Sequence, residues 1–176
     1  MSGLIVRAST EADVARCAEI YAHHVLHGTA SFEVDPPDLA EMGRRRAAVL
    51  DLGLPHLVAE RAGRVVGYAY AGNWRPRPAY RFSVEDSIYI DKDAVGQGVG
   101  KALLPALIEQ CTVAGKRQMV AVIGDSAQHP SIRLHSSCGF EMVGTLRNIG
   151  FKFGRWLDSV LMQRALGAGD GQPPAA

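Results

Sequence analysis

Hydrophobic and polar positions along the chain switch repeatedly between two periods. Leu4 to Ala8 is a short apolar run of strand character, and Ser9 or Thr10 can cap the next element. Val14, Cys17, Ala18 and Tyr21 then recur at helical spacing, which predicts a helix to about Leu26. Gly28 to Asp35 is a turn-rich loop carrying Phe32 and Glu33, and Pro36 and Pro37 open a second helix with Leu39, Met42, Arg46 and Val49 on successive turns. Arg44, Arg45 and Arg46 read as a solvated face of that helix. Three strands follow, at His56 to Glu60, Val65 to Asn73 and Tyr80 to Ile90, with Gly63 turning the first pair. A helix is predicted from about Val99 to Ala114, interrupted by Pro105, which should kink it or shift its start. A strand at Gln118 to Ile123 comes next, then a short helix at about Ser131 to Ser137. Strands near Glu141 to Phe151 and Arg155 to Gln163, joined at Gly154, close the pattern. The order β-α-α-β-β-β-α-β-α-β-β is a mixed α/β layout without the regular βαβ repetition of a dinucleotide-binding domain.

Composition narrows the class. The 176 residues fit one domain, assigned to residues 1–166, with a Gly-, Ala- and Pro-rich tail at 167–176. A hydrophobic fraction of 47% supplies enough apolar area for a core and argues against a disordered chain. The net charge of +1 lacks the basic excess of a nucleic-acid binder. No apolar stretch is long enough to span a bilayer, and no secretory signal opens the chain. Cys17, Cys111 and Cys138 are widely spaced and odd in number, so they read as reduced thiols of a cytoplasmic protein.

The most informative stretch couples a strand, Ser87-Ile88-Tyr89-Ile90, to a turn and helix start, Val95-Gly96-Gln97-Gly98-Val99-Gly100-Lys101. Alternate glycines let a backbone approach a ligand, and a helix start offers unpaired N–H groups and a positive dipole end. Together they suit a phosphate or pyrophosphate, although a plain tight connection remains open on these residues alone. A P-loop is excluded because Ala102 replaces its hydroxyl residue, and GxGxxG lacks its third glycine. Gly124-Asp125-Ser126-Ala127-Gln128 ends in Gln where a nucleophile elbow needs Gly, which argues against a hydrolase. His23, His24 and His27 lack the glutamate of a zinc-protease motif, and no metal is expected.

The glycine turn resembles the [QR]-x-x-G-x-[GA] signature of the GNAT (Gcn5-related) N-acetyltransferases, with Gly98 and Gly100 matching and Val95 standing in place of Gln or Arg. The segments His27-Gly28-Thr29-Ala30-Ser31-Phe32-Glu33, Trp74-Arg75-Pro76-Arg77-Pro78-Ala79-Tyr80-Arg81, Val84-Glu85-Asp86-Ser87, Ser131-Ile132-Arg133-Leu134-His135 and Gly150-Phe151-Lys152 extend the resemblance to the phosphinothricin and methionine sulfoximine acetyltransferase branch. The resemblance implies a GNAT fold, a mostly antiparallel twisted sheet of about seven strands flanked by about four helices. It also implies acetyl-CoA as acetyl donor, a small amine acceptor and a homodimer.

Residue by residue, it implies that Ile88, Tyr89, Ile90, Val95, Gly96, Gln97, Gly98, Val99, Gly100, Lys101, Gln128 and Ser131 bind the donor. Glu85 would take the proton of the acceptor ammonium, and His135, four residues before Gly139-Phe140, would return one to the thiolate. The Ile90 amide would face the thioester oxygen as a preorganised donor. Phe32, Glu33, Trp74, Arg75, Arg77, Tyr80 and Lys152 would line the acceptor pocket, with the positive group Arg75, Arg77, Arg81 and Lys152 suited to an anionic or strongly polar end. Lys152 could instead serve a partner's pocket. On regular alternation Asp86 would share an apolar face with Val84, Ile88 and Ile90, and a β-bulge near Glu85 is expected to relieve this. The readings to set against this one are another acceptor (a polyamine, aminoglycoside or protein N-terminus) and a sensor domain that binds acetyl-CoA without turnover.

Overall fold

In the computed structural model, residues 3–174 are described. Strand β1 (Ile5–Ala8) leads through a 3-10 turn into helix α1 (Val14–His27), and α2 (Leu39–Asp51) follows. Then come β2 (His56–Arg61), β3 (Arg64–Asn73), β4 (Ser83–Ile90), α3 (Val99–Val113), β5 (Gln118–Gly124), α4 (His129–Ser137), β6 (Glu141–Lys152) and β7 (Arg155–Ala165). The strands form one seven-stranded sheet in the order β1-β2-β3-β4-β5-β7-β6. Every neighbouring pair is antiparallel except β4 and β5. The mixed α/β reading and its strand and helix numbers agree with this architecture.

Periodicity explains the layering. Val14, Cys17, Tyr21 and Val25 form one stripe of α1 and are buried with Met42 of α2 against Val58, Val65 and Tyr68 of the sheet. On the opposite face Leu103, Leu104 and Leu107 of α3 seal Leu57, Ala69, Val84, Met119 and Met162. Burying each such leucine contributes about 1.5–3 kcal/mol, so α3 is the main anchor of that face. Gly67 admits α3 to the sheet, since a Cβ there would lie 2.8 Å from a methyl of Val99. Helix α3 runs unbroken through Pro105 from the expected start at Val99.

Several expectations are corrected. The third central strand begins at Ser83, because Pro78–Tyr80 close a 3-10 turn whose last amide bonds are taken locally. Arg45 and Arg46 are not simply solvated: Arg45 ion-pairs with Glu33 and Glu41, and Arg46 donates to the hydroxyl and carbonyl of Ser9. No bulge interrupts β4 near Glu85, for Gly67–Asn73 pair in continuous register with Val84–Ile90. The register shifts lie elsewhere, at Ala59/Glu60 and within β6. In the segment assigned as a tail, Gly169 accepts from Arg117, and the last residues of that assignment, 175 and 176, lie outside the described residues.

Candidate active site

The central irregularity of the sheet is a splay. Strands β4 and β5 pair only from Ser83–Asp86 against Gln118–Ala121 and then diverge. The remaining edge of β4, Ser87 to Ile90, has β3 on one side and a cleft on the other. The amide of Asp91 donates to Val66 of β3, so by alternation the amides of Ile88 and Ile90 turn towards the open edge, while Tyr89 directs its own to β3. The Tyr89 ring packs edge-on to Tyr21, with centroids 4.9 Å apart, so it serves the cleft as a wall. His24, kept neutral by burial, donates Nε2–H to the Ile90 carbonyl and fixes the strand end.

The cleft has a volume of about 260 Å³ and is walled by the Ala30–Phe32 loop, β4, β5, Gln128, Ser131 and His135. Phe32 is wedged between strands: a Cβ at Gly124 would lie 2.8 Å from its ring, and one at Gly150 only 2.4 Å. Gly150 admits the ring, and Gly124 admits both the ring and the Thr29 carbonyl, which lies closer still to where its Cβ would stand. Gln128 ties the same loop down by donating to the Thr29 hydroxyl.

Two adjacent carboxylates mark the point where β4 becomes free, and strand alternation sends them to opposite faces. Glu85 faces the α1–α2 side, half-buried and opposite Gly72, which leaves the space beside it open. Burial first and the Asp86 charge second push its carboxyl above the usual range, and Arg75 opposes them. Asp86 faces the α3–α4 side, buried on the apolar face that alternation predicts. Its Oδ2 lies 3.0 Å from Nε2 of His135, so the buried carboxylate is matched by an ionisable partner where relief by a bulge was expected. His135 is 2% exposed, its ring edge-on to Phe140 with centroids 5.0 Å apart. Asp86 is the site residue that the motif reading missed. A carboxylate on an apolar strand face was itself the signal, since such a charge needs a partner.

The glycine turn follows the end of β4, with Gly100 packed beside the Ile90 side chain. Gly96 and Gly98 have positive φ, 77° and 83°, with open space where a Cβ would stand. Val99, Gly100 and Lys101 open α3, so their amides are among those a helix cannot satisfy internally. The Gln97 amide is turned back to the Ala94 carbonyl, and its side chain is held by Arg61 and the Asp93 carbonyl. Gly100 serves packing, because a Cβ there would lie 2.8 Å from Leu134. Val95 is exposed.

The acceptor-pocket candidates are dispersed. Phe32 lines the cleft, but the Glu33 carboxylate is held 2.6 Å from Arg45. Trp74, Arg75, Arg77 and Tyr80 lie on the largely exposed β3–β4 connection outside the cleft lining, with the Arg75 guanidinium over the Trp74 ring. Arg81 lies over the Phe82 ring. The Lys152 ammonium is 3% exposed and donates to the carbonyls of Gly28 and Ser31, so in the single chain it pins the cleft loop. On α1 the His23 and His27 rings lie side by side, 5.0 Å apart.

This chain belongs to the GNAT acetyltransferases: residues 6–161 match the acetyltransferase (GNAT) domain. It is 57% identical over 165 residues to a phosphinothricin N-acetyltransferase from Alcaligenes faecalis, covering 94% of this chain and 84% of that one. It is 40% identical to an L-methionine sulfoximine/L-methionine sulfone acetyltransferase from Salmonella typhimurium, covering 93% and 95%. A crystal structure of a GNAT phosphinothricin acetyltransferase from Sinorhizobium meliloti with acetyl-CoA superposes with a TM-score of 0.95 at 47% identity, covering 99% of this chain and 94% of that one. The chain is therefore an acyltransferase that uses acetyl-CoA.

Proposed function

We propose that this enzyme acetylates the α-amino group of a small amino-acid analogue of the phosphinothricin, methionine sulfoximine or methionine sulfone type. The carrying observation is the half-buried Glu85 at the end of the open β4 edge, where an acceptor ammonium would meet the donor's thioester. The names of the relatives supply the acceptor class.

Acetyl-CoA brings an activated acyl group. The Ile88 and Ile90 amides would hold its extended arm as a neighbouring strand would, and the first-turn amides of α3 with Gly96 and Gly98 would take its pyrophosphate. The Ile90 amide would serve the carbonyl oxygen, a donor fixed before charge develops. Glu85, with its raised carboxyl, takes the ammonium proton directly or through one water. His135 returns a proton to the sulfur. In this reading Phe32 walls the acceptor side, and Arg75 and Arg77, flanked by Trp74 and Tyr80 on the β3–β4 connection outside the single chain's cleft lining, would supply guanidinium forks for the acceptor's anionic end.

The reading includes a cytoplasmic homodimer. On the β6–β7 hairpin Met142, Val143, Ile149, Phe151 and Trp156 are each more than half exposed, a concentration of apolar side chains that a partner copy would cover. A second copy would also present groups to sites that the single chain leaves without arginines. Acetyl-CoA-dependent product formation, read by mass spectrometry, tests the acceptor. The panel is phosphinothricin, methionine sulfoximine, methionine sulfone, spermidine, kanamycin and a peptide N-terminus. Acetylation confined to the first three supports the proposal; acetylation only of the others overturns it. A mass near one chain's 18.9 kDa in light scattering would remove the dimer.

A further inference from the structure

Hydrogen bonds sealed in an interior must be donated as well as accepted, and His135 allows the protons to be counted. Its Nδ1 lies 2.8 Å from the Ser131 carbonyl oxygen. A carbonyl only accepts, so Nδ1 carries a hydrogen. Its Nε2 lies 3.0 Å from Asp86 Oδ2, and an ionised carboxylate also only accepts. Either Nε2 carries a second hydrogen, giving imidazolium against carboxylate, or Asp86 is the acid and donates to Nε2. Both arrangements hold one proton more than a neutral imidazole beside an ionised carboxylate.

We propose that Asp86 and His135 store this extra proton in the resting enzyme, with Asp86 as the positioning residue that keeps His135 charged for the departing sulfur. The proposal deepens the acid role given to His135 and rests on it. As the C–S bond breaks, the sulfur's electron pair takes the Nε2 proton that Asp86 and His135 share, while Nδ1–H stays on the Ser131 carbonyl and Asp86 stays a carboxylate. The acceptor nitrogen gives one proton to Glu85 before attack and its second to His135 afterwards, so the pair is restored and Glu85 discharges to solvent.

The surroundings leave the pair to itself. From α4 the ring meets only the Ser131 carbonyl and, more distantly at 3.4 Å, the Ser131 hydroxyl. From the segment after α4 it meets Phe140, and from β4 it meets Asp86. The nearest titratable group on α3, Cys111, is pushed up to about 12 by burial and stays neutral. Glu85 points to the other face of the sheet. Burial by itself would lower the imidazole, but the Asp86 hydrogen bond and charge, with the Ser131 carbonyl, outweigh it and raise His135 above the ordinary value. Among the described residues Asp86 Oδ1 is buried without a partner, and the imidazolium is the group that offsets this carboxylate.

The test is a titration of the full-length protein with ¹⁵N-labelled histidine, the His135 signals being identified by their loss in His135→Gln. In the wild type we expect the ring to remain imidazolium beyond pH 7. In Asp86→Asn its midpoint should fall by about one unit or more, the scale of losing an adjacent opposite charge. With acetyl-CoA and phosphinothricin the high-pH limb of kcat should fall with it, so that Asp86→Asn loses at least tenfold more turnover at pH 8 than at pH 6. A neutral His135 in the wild type at pH 7 overturns the proposal without any variant. An equal loss at every pH overturns it too, reducing Asp86 to packing. Full turnover in His135→Gln would instead remove the acid role, a result the wild-type titration keeps separate.

Discussion

Glu85 and Asp86 are neighbours in sequence, share one strand and have the same functional group, yet the sheet divides them completely. Glu85 opens on the cleft with no ion-pair partner among the described residues, and its raised carboxyl is the cost of standing half-buried. Asp86 is 6% exposed and matched to His135. One backbone step, about 3.3 Å of rise and a reversal of side-chain direction, separates a carboxyl raised by burial beside the cleft from one held against the His135 ring. Chemical role here follows from the face of the strand, not from residue type.

Substitutions can break this comparison. Glu85→Gln should lower turnover by about 10²–10⁴-fold, the usual contribution of a general base, with acetyl-CoA binding unchanged in calorimetry. Stability should move the opposite way. A carboxyl raised by folding binds more protons folded than unfolded, so its presence lowers stability as pH rises from its unfolded value through its folded one. At pH 7 Glu85→Gln should therefore have an equal or higher Tm, whereas Asp86→Asn should lower it. A clear Tm loss in Glu85→Gln would show that its carboxylate is held by a partner after all.

Next in size is Gly150→Ala, whose Cβ would meet the Phe32 ring at 2.4 Å. Overpacking of this kind costs about 1–3 kcal/mol, read as a lower urea midpoint. It should also raise the KM for the acceptor, and the double variant Gly150→Ala/Phe32→Ala should recover part of the lost stability. The smallest effect concerns His135. A histidine raised above 6.5 by its partner stabilises fully below that pH and loses the contribution as pH climbs through the folded value. The stability gap between wild type and His135→Gln should thus narrow as pH rises above 6.5.

Much of this was legible in the residues themselves. Helical spacing of Val14, Cys17 and Tyr21, the alternation along Val84–Ile90 and the glycine turn before Val99 each carry a local signal, and each element formed close to where that signal lies. What failed was non-local. Asp86 and His135 are 49 positions apart, and nothing in either neighbourhood announces the other. The local rule for a carboxylate on an apolar face offered a bulge; the fold supplied a partner. Lys152 fails for the same reason. Grouped with Arg75, Arg77 and Arg81 it reads as a ligand for substrate, but in the single chain packing turns it inward onto the Gly28 and Ser31 carbonyls. The arginines of the β3–β4 connection were grouped by sequence proximity, and in the single chain they lie along an exposed arm outside the cleft.

The splay between β4 and β5 carries one more consequence. Exposed strand edges usually sit at the margins of sheets, where they invite foreign strands and aggregation. This protein places its vacant edge at the centre of the sheet, four residues long, recessed between two helical layers. An occupant of this edge would complete the sheet's hydrogen bonding from within, so its binding should be felt as stability of the fold. Saturation at about 100 times its Kd should add about 2.7 kcal/mol to the folded state.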